Sequence, residues 1–410
     1  MRVAFFLNEF PAVSQTFVLN QVKGVMDFGH EVDIYAMRRE ESRRLHPIVE
    51  AYRLLARAVF LRQTPDNRLS RLVAVSRQFV ERRYWNRSEI VLKALNIRRY
   101  GREAAGLKLL YAALQVRGSG YYDVVHCQFG VLGRMALNLM ETGALHGRLI
   151  VSIRGYDITK HIQDRPGFYD ELFARAHLFL PVSVSLKQRL LDLGCPEEKI
   201  VVHHSGIECQ RLPFRERRRA DGAPVEIFSV GRLVEKKGFA CAIEAVARIL
   251  PRYPGIRFTI AGDGELRGRL QSLIERLGVG GNIRLIGEQS HEAVIAWLER
   301  AHLFLAPSVT AADGDQEGIP NAIKEAMACG LPVVSSTHSG IPELVEHGVS
   351  GLLAPERDVE QLAAHLQYLL DHPECWPQMG RAARRRVEEQ FDAGKLNAEL
   401  VALYEAVQNA

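Results

Sequence analysis

Short apolar segments alternate with helical patterns along almost the whole chain, in two separate series. Strands that alternate with helices predict a parallel sheet with helices on both faces. The first series predicts strands at 2–7, 31–36, 123–128, 149–154, 177–183 and 199–203. The second predicts strands at 225–230, 256–261, 283–287, 302–307, 332–336 and 351–354. The predicted fold class is α/β, with two Rossmann-like parallel-sheet domains that face a central cleft.

The alternation breaks near residue 206, where a polar and basic stretch leads into the second series. We therefore predict an N-terminal domain at 1–206, which includes a basic helical region at 38–117, and a C-terminal domain at 207–385. A chain of 410 residues is long enough for both. The last segment, 386–410, is predicted to be a helix that can pack back against the N-terminal domain.

Cysteine usage and hydropathy indicate where such a chain resides. The six cysteines form no CxxC pair, which argues against a zinc site or a disulfide framework and fits a reducing compartment. No apolar run approaches the roughly eighteen residues of a membrane span. The N-terminus is apolar only briefly and is predicted to be a first strand, not a signal peptide. We expect a cytoplasmic protein.

The net charge is only +5, but arginines recur through the basic helical region with apolar residues between them at helical spacing. One interpretation is a solvated helical face. The other is an interfacial surface for anionic lipid headgroups or a lipid diphosphate, which would place the protein peripherally on the cytoplasmic membrane face. Nucleic acid is not expected as a partner, because no reading motif accompanies the charge.

The segment 317–332 (EGIPNAIKEAMACGLP) has the features of a helix whose start faces a ligand. Pro320 suits the first helical position, and Gly330 suits the position just past the helix end. The free N–H groups of a helix start bind anions. Glu317 and Glu325 flank that start, roughly 12 Å apart if the whole span is helical. A nucleotide-sugar, with phosphates in the middle and hydroxyls at both ends, has a matching shape.

Other candidate residues follow predicted strands, at the sheet edges that border the cleft. Arg232 and Lys237 can neutralise the charge of a departing diphosphate without a metal. The glycines of 261–265 allow a tight turn and close approach to a ligand. His126 and the segment 154–157 are predicted to point into the cleft from the first domain. The pair Asp313 and Asp315 is interpreted as part of a turn and not as a metal site.

Four segments carry a resemblance to a known family: 5–22 (FxxxxFPAVSQTFVLNQV), 231–238, 261–264 and 308–345. The chain resembles the retaining family 4 glycosyltransferases, the two-Rossmann (GT-B) group related to glycogen synthase. Within that group it looks most like the colanic acid and exopolysaccharide enzymes. The resemblance covers nearly the whole length. It implies that the C-terminal domain binds a nucleotide-sugar donor and the N-terminal domain an acceptor.

The resemblance also assigns residues to roles. Glu317 would lie against the donor sugar, near its C3 and C4 hydroxyls, and Glu325 would bind the ribose. Arg232 and Lys237 would hold the diphosphate. The rest of the donor site would consist of Gly262, Asp263, Gly287, Gly318, Ile319, Pro320 and Asn321. The acceptor side would consist of Ser14, Gln15, Thr16, Arg154, Tyr156 and Asp157.

Two features depart from the family pattern. The family's usual double glycine is absent from the N-terminal loop at 11–16. Many relatives have a histidine where this chain has Arg154. Either Arg154 replaces that histidine as a cationic hydrogen-bond donor, or His126 supplies an imidazole as a further catalytic residue. The two alternatives stay open at the level of the sequence.

The function that the resemblance implies is transfer of a hexose from a UDP- or GDP-linked sugar to a saccharide acceptor, free or lipid-linked, in bacterial exopolysaccharide biosynthesis. The anomeric configuration would be retained, and no metal or other cofactor is expected. One alternative is a sugar-nucleotide epimerase or hydrolase on the same fold, which would turn over the donor alone. The other is an inactive scaffold in a polysaccharide assembly complex.

Overall fold

The computed structural model describes residues 1–11, 16–40, 46–61, 70–73, 76, 88–162, 165–219 and 222–409. In these ranges the N-terminal sheet has the strands β1 Arg2–Phe10, β2 Glu31–Arg39, β3 Ala58–Phe60, β4 Tyr121–Cys127, β5 His146–Ile153 and β6 Leu178–Pro181. The strand order is β3-β2-β1-β4-β5-β6, and each adjacent pair is parallel.

The second sheet has the strands β7 Val225–Val230, β8 Ile256–Ala261, β9 Ile283–Leu285, β10 Leu303–Ala306, β11 Val333–Ser336 and β12 Gly351–Ala354. Its order is β12-β11-β10-β7-β8-β9, again with parallel neighbours. The two six-stranded parallel sheets confirm the predicted α/β fold class.

Helices connect the strands within each domain. Those before β7 are α1 Thr16–Asp27, α2 Pro47–Ala51, α3 Ser88–Ala94, α4 Ile97–Ala105, α5 Lys108–Gln115, α6 Gly130–Thr142, α7 Asp170–Arg175 and α8 Val184–Asp192. Those after it are α9 Phe239–Ile249, α10 Arg267–Arg276, α11 His291–Arg300, α12 Asn321–Ala328, α13 Ile341–Leu344, α14 Val359–Asp371, α15 Trp376–Gln390 and α16 Ala393–Asn409. None of the helices in the described ranges is both long and apolar enough to cross a bilayer.

Both sheets are buried on their two faces, which explains why the strands are almost continuously apolar. In β1, Phe5 and Phe6 are fully buried but belong to separate hydrophobic clusters on opposite faces of the sheet. In β7, Ile227 and Phe228 are divided between two clusters in the same way. Successive side chains of a strand point to opposite faces, so one apolar run supplies both clusters.

Two details of the first sheet differ from the prediction. The segment 199–203 is not a strand, although it runs beside β6. Val201 N–H donates to Phe179 O and His203 N–H donates to Pro181 O. The third strand, β3, was not predicted, because its three residues are only partly buried and too few to show a periodic pattern.

The last helix, α16, leaves the C-terminal domain and lies against the N-terminal one. Leu400 and Tyr404 are buried in the same cluster as the β1 residues Val3 and Phe5. The chain crosses between the domains twice, and the two crossings pair with each other: Ile207 N–H donates to Phe391 O (2.9 Å), and Ala393 N–H donates to Ile207 O (2.9 Å). The domains are therefore joined by a double connection beside the cleft.

Candidate active site

The carboxylate of Glu317 lies between two lysine side chains. Its Oε1 is 3.4 Å from Lys236 Nζ, and its Oε2 is 3.1 Å from Lys237 Nζ. Burial of the carboxyl group would raise its pKa, but the charges of Lys237 and Lys236 outweigh that effect and lower the pKa of Glu317 to about 2. Glu317 is therefore ionised at neutral pH, with its charge compensated on both sides.

Lys236 is a site residue that the sequence analysis missed. Its Nζ also contacts Asp315 Oδ1 (3.1 Å) and Gln316 O (3.4 Å), so it holds the loop that precedes Glu317. The sequence does contain a signal for Lys236: it forms an adjacent lysine pair with Lys237 in the loop that follows a buried strand. Lysines in such a position rarely become buried unless acidic side chains pair with them.

The helix start beside Glu317 is open. The helix α12 begins at Asn321, one residue later than predicted, with Pro320 as an N-cap whose side chain makes no capping hydrogen bond. Gly318 and Ile319 are buried between the domains: a Cβ at position 318 would lie 2.8 Å from a methyl group of Val182. Ile323 N–H donates to Pro320 O (3.2 Å), so in the described residues the N–H groups of Asn321 and Ala322 have no acceptor and can bind an anion.

Two charged residues near this helix start lack partners. Arg232 follows β7, is exposed, and makes no side-chain hydrogen bond or ion pair within the part of the chain that the structure describes. Glu325 is partly exposed and has no such partner there either. Burial raises the pKa of Glu325, against the opposing charges of His291 and Lys324. A guanidinium and a carboxylate without side-chain partners in the described residues remain available to a ligand.

The turns after β7, β8 and β9 are packed backbone against backbone. Gly262 N–H donates to Gly287 O (2.8 Å), and both glycines have positive φ, 134° and 75°. A Cβ at position 262 would lie 1.9 Å from Gly231 O, so no other residue fits without moving the turn. Asp263 is exposed, and its Oδ1 accepts the N–H of Gly264 (2.7 Å).

The guanidinium of Arg154 is hydrogen-bonded both within the N-terminal domain and to the interdomain connection. Its Nε donates to Gln128 (3.1 Å), one Nη to Ser205 Oγ (2.8 Å) and the other to Gln21 (3.1 Å). Its guanidinium carbon lies 4.1 Å from the centre of the Phe17 ring. In the described residues no carboxylate forms an ion pair with this guanidinium, whose hydrogen bonds go to neutral side chains.

The neighbours of Arg154 have different surroundings. The carboxylate of Asp157 is fully buried and accepts the backbone N–H groups of Gly130, Arg154 and Gly155 at 2.9–3.1 Å. Asp157 therefore shapes the turn and does not present its carboxylate to the cleft. Tyr156 is exposed. Ser14 and Gln15 lie outside the described residues, and of Thr16 only the backbone, at the start of α1, is described.

His126 does not point into the cleft, so the prediction that it does is wrong. The side chain is fully buried under α16, with Nδ1 2.6 Å from Tyr404 Oη and Nε2 2.8 Å from Ser152 Oγ. Burial and the nearby Arg154 hold the pKa of His126 well below its usual range. An imidazole with both nitrogens bonded in the core cannot reach a sugar in the cleft. Of the two alternatives at this position, the geometry excludes His126, and the role of Arg154 stays a prediction.

A second missed residue is Lys324 of α12, whose charged side chain is fully buried. Its Nζ donates to Ser205 O (2.6 Å) and to Asn321 Oδ1 (3.1 Å). Burial and the charge of Arg154 lower the pKa of Lys324 to about 7. Since Ser205 also accepts from Arg154, this residue of the interdomain connection bonds one cation from each domain.

The two domains touch across the cleft. Lys160 forms an ion pair with Asp313, and Glu343 Oε1 accepts the N–H of Val184 at the start of α8 (2.8 Å). A cavity of about 560 Å³ opens between the domains here; it is lined by Thr159, Ser185, Leu186, Gln188, Arg189, Asp192, Thr310, Gly314 and Gln316.

The pair Asp313 and Asp315 lies in a turn. Asp313 Oδ1 accepts Asp315 N–H (3.0 Å), the hydrogen bond of an Asx turn. No cluster of metal-ligating side chains occurs among residues that the structure describes.

Known proteins share this arrangement. Two facing parallel α/β domains form the GT-B architecture of glycosyltransferases, and the solved structure of Anabaena HepE in complex with UDP and glucose has the same fold: its TM-score is 0.73 over 98% of this chain and 99% of that one, at 16% identity. Among sequence families, the family model "Glycosyltransferase Family 4" matches residues 14–211, and the family model "Glycosyl transferases group 1" matches residues 211–386.

Relatives with similar sequences extend over the full length. The putative colanic acid biosynthesis glycosyltransferase WcaL of Salmonella typhimurium is 39% identical over 411 residues, which cover 99% of this chain and 100% of the relative. The amylovoran biosynthesis glycosyltransferase AmsK of Erwinia amylovora is 38% identical over 397 residues, which cover 96% of both chains. The chain therefore belongs to the family 4 (group 1) glycosyltransferases, as the resemblance implied.

Proposed function

We propose that this glycosyltransferase moves a hexose from a UDP- or GDP-linked donor to a saccharide acceptor, free or lipid-linked, in exopolysaccharide biosynthesis, and retains the anomeric configuration. The observation that carries the proposal is the charge pattern beside the start of α12: a helix start without a side-chain cap, and next to it the Glu317 carboxylate between Lys236 and Lys237. The colanic acid and amylovoran enzymes among the relatives support the biosynthetic context.

In the proposed complex, the diphosphate lies on the first turn of α12, where the free N–H groups face it. Arg232 reaches it from the loop after β7, and Lys237 shares its ammonium group between the diphosphate and Glu317. Glu325 accepts hydrogen bonds from the ribose hydroxyls, and Glu317 accepts them from the hexose. The base lies beside the turn at Gly287, where the nearest atom to the position of a Cβ is Arg267 Nη1 at 3.6 Å.

The proposed reaction occurs on one face of the sugar. The bond between the anomeric carbon and the diphosphate oxygen breaks, the acceptor oxygen bonds to that carbon from the same face, and the acceptor proton passes to the departing diphosphate. Charge grows on the diphosphate as the bond breaks, and a preorganised cation there stabilises the transition state more than the ground state. We propose that Arg232 and Lys237 supply this charge, so that transfer needs no metal and persists in EDTA.

The nucleotide of the donor can be identified by thermal protection. We expect one member of a panel of UDP-, GDP- and ADP-hexoses to raise Tm in a concentration-dependent way, since a ligand that binds only the folded state stabilises it. Transfer to a saccharide acceptor should then require that same donor. Release of free hexose from the donor at an undiminished rate without acceptor would favour the hydrolase alternative. A panel without any protection would contradict the donor site.

We also propose that the basic helical region contacts the membrane surface that would carry a lipid-linked acceptor. Leu92 in α3 and Ile97 at the start of α4 are exposed, at 73% and 60%, beside the exposed Lys93, Arg98 and Arg102. Apolar side chains flanked by cations suit an anionic bilayer.

Co-sedimentation with vesicles that contain anionic lipid tests this contact. We expect binding that weakens with salt, and at least a tenfold weaker binding for Leu92→Ser/Ile97→Ser. Leu277→Ser, at an exposed apolar residue of the C-terminal domain, is the control and should bind as the wild type does. Equal binding of the double variant, or no binding by the wild type, would show that the region is only a solvated face.

A further inference from the structure

The backbone of Glu317 is held by a buried histidine that the sequence analysis did not single out. Glu317 N–H donates to Nε2 of His338, 3.1 Å away. His338 lies in the turn after β11, and its side chain is fully buried. A buried imidazole that accepts a hydrogen bond from the main chain of a proposed substrate-binding residue can set where that residue lies.

A carboxylate holds the other side of the ring. Nδ1 of His338 lies 2.6 Å from Oε1 of Glu356, which follows β12. Because Nε2 accepts a hydrogen bond from an N–H group, the ring proton must be on Nδ1, which donates to Glu356. The carboxylate thus selects the tautomer in which Nε2 is free to accept. Burial would raise the pKa of Glu356, but the hydrogen bonds from Thr310 and His338 lower it.

The carboxylate of Glu356 also accepts hydrogen bonds from Thr310, in the loop that leads from β10 to Glu317. The backbone N–H of Thr310 donates to Glu356 Oε2 (2.7 Å), and its hydroxyl lies 3.2 Å from Oε1. Gln316, next to Glu317, donates from Nε2 to the hydroxyl oxygen of Thr310 (3.3 Å). Loops that follow three adjacent strands, β10, β11 and β12, are therefore joined at Glu356. The lysines hold the Glu317 side chain, and His338 holds its backbone.

We propose that the Glu356–His338 pair is the positioning element that fixes Glu317 against the transferred sugar. This inference rests on the proposed function, in which Glu317 binds the hexose. Neither His338 nor Glu356 needs to touch substrate: their effect passes through one backbone hydrogen bond. Displacement of a substrate-positioning group by about 1 Å can cost as much as 100-fold in rate, which is why a fully buried and fully bonded support matters here.

Two substitutions separate the hydrogen bonds of the imidazole. In His338→Asn the amide nitrogen can take the place of Nδ1 and still donate to Glu356, but no atom replaces Nε2. In His338→Gln the amide oxygen can take the place of Nε2 and accept from Glu317. We expect His338→Asn to lower kcat for transfer by about 10- to 100-fold, and His338→Gln to recover most of that loss. Protection by the bare nucleoside diphosphate, which does not reach Glu317, should be unchanged in both.

Two controls make the result specific. His302→Ala removes a similar bond, from Glu226 N–H to Nδ1 of His302 (3.1 Å), at the opposite end of the same sheet, and should change stability but not kcat. Glu317→Gln, measured in parallel, tests the proposed function itself. If Glu317→Gln is inactive while His338→Asn transfers at the wild-type rate, the positioning role is overturned and the proposed function stands. If Glu317→Gln is fully active, the proposed role of Glu317 at the hexose is rejected, and the positioning role that rests on it is rejected with it.

Discussion

Arg232→Ala is expected to lower kcat for glycosyl transfer by about 10²–10³-fold, the usual cost of removing one preorganised group that stabilises transition-state charge. The guanidinium is exposed and has no side-chain partner within the described ranges, so nothing in the free protein uses its charge. The free energy of unfolding should consequently stay within about 0.5 kcal/mol of the wild type. Initial rates with the donor identified by thermal protection measure the effect.

The matched control is Arg248→Ala, which removes another exposed arginine of the same domain, one whose ion pair in the described part of the chain is with the exposed Glu360. That variant should transfer at the wild-type rate. Arg232→Lys should restore part of the activity, because the charge returns without the bidentate geometry of a guanidinium. A folded Arg232→Ala protein with unchanged turnover would refute the role of Arg232 at the diphosphate.

The second large effect is expected for Glu317→Gln, which should reduce both transfer and stability. Transfer should fall by at least about 100-fold, because the sugar loses a charged acceptor and the lysines lose the group that places them. The pKa of Glu317 falls from an ordinary value of 4.5 to about 2 on folding, which corresponds to about 3 kcal/mol of stability at neutral pH. Glu360→Gln, at an exposed ion pair, should cost much less.

The pH dependence of this stability has a definite sign. The folded protein binds a proton at Glu317 less readily than the unfolded chain does, so the contribution is complete above pH 4.5 and is lost as the pH falls towards 2. Urea unfolding at neutral pH and at successively lower pH measures the free energy of unfolding of the wild type and of Glu317→Gln. The difference between the two free energies should become smaller below pH 4.5. A difference that stays constant, or grows, on acidification would contradict the charge pairing with Lys236 and Lys237.

Periodicity predicted the strands well where they are buried on both faces, because a continuous apolar run of that length has few alternatives to a central parallel strand. The exceptions, 58–60 and 199–203, lie at or beyond the edge of the first sheet, where burial on one side only weakens the pattern. The contact between Glu317 and Lys237 follows from the same argument, since the ends of neighbouring parallel strands share one edge of a sheet.

His126 shows what a strand-end position leaves undecided. The residue does lie near the end of β4, as its sequence position indicates, but α16 arrives from the far end of the chain and covers it. A contact between residues 278 positions apart has no local signal in one sequence. Lys324 is a similar case, because its hydrogen-bond acceptor Ser205 lies in the interdomain connection and the charge that lowers its pKa, Arg154, belongs to the other domain.

The amino-acid sequence by itself determined that the chain has two parallel α/β domains with acidic and basic residues at the ends of their strands. Both features can be predicted from one sequence because hydrophobic periodicity, and the residues that directly follow a strand, are local properties. Tertiary structure alone decided which of those groups meet: Glu317 with both lysines, His338 between Glu317 and Glu356, and His126 under the last helix. The reason is physical. Burial and charge pairing depend on segments that are distant in sequence and become neighbours only when the domains and their connections assemble.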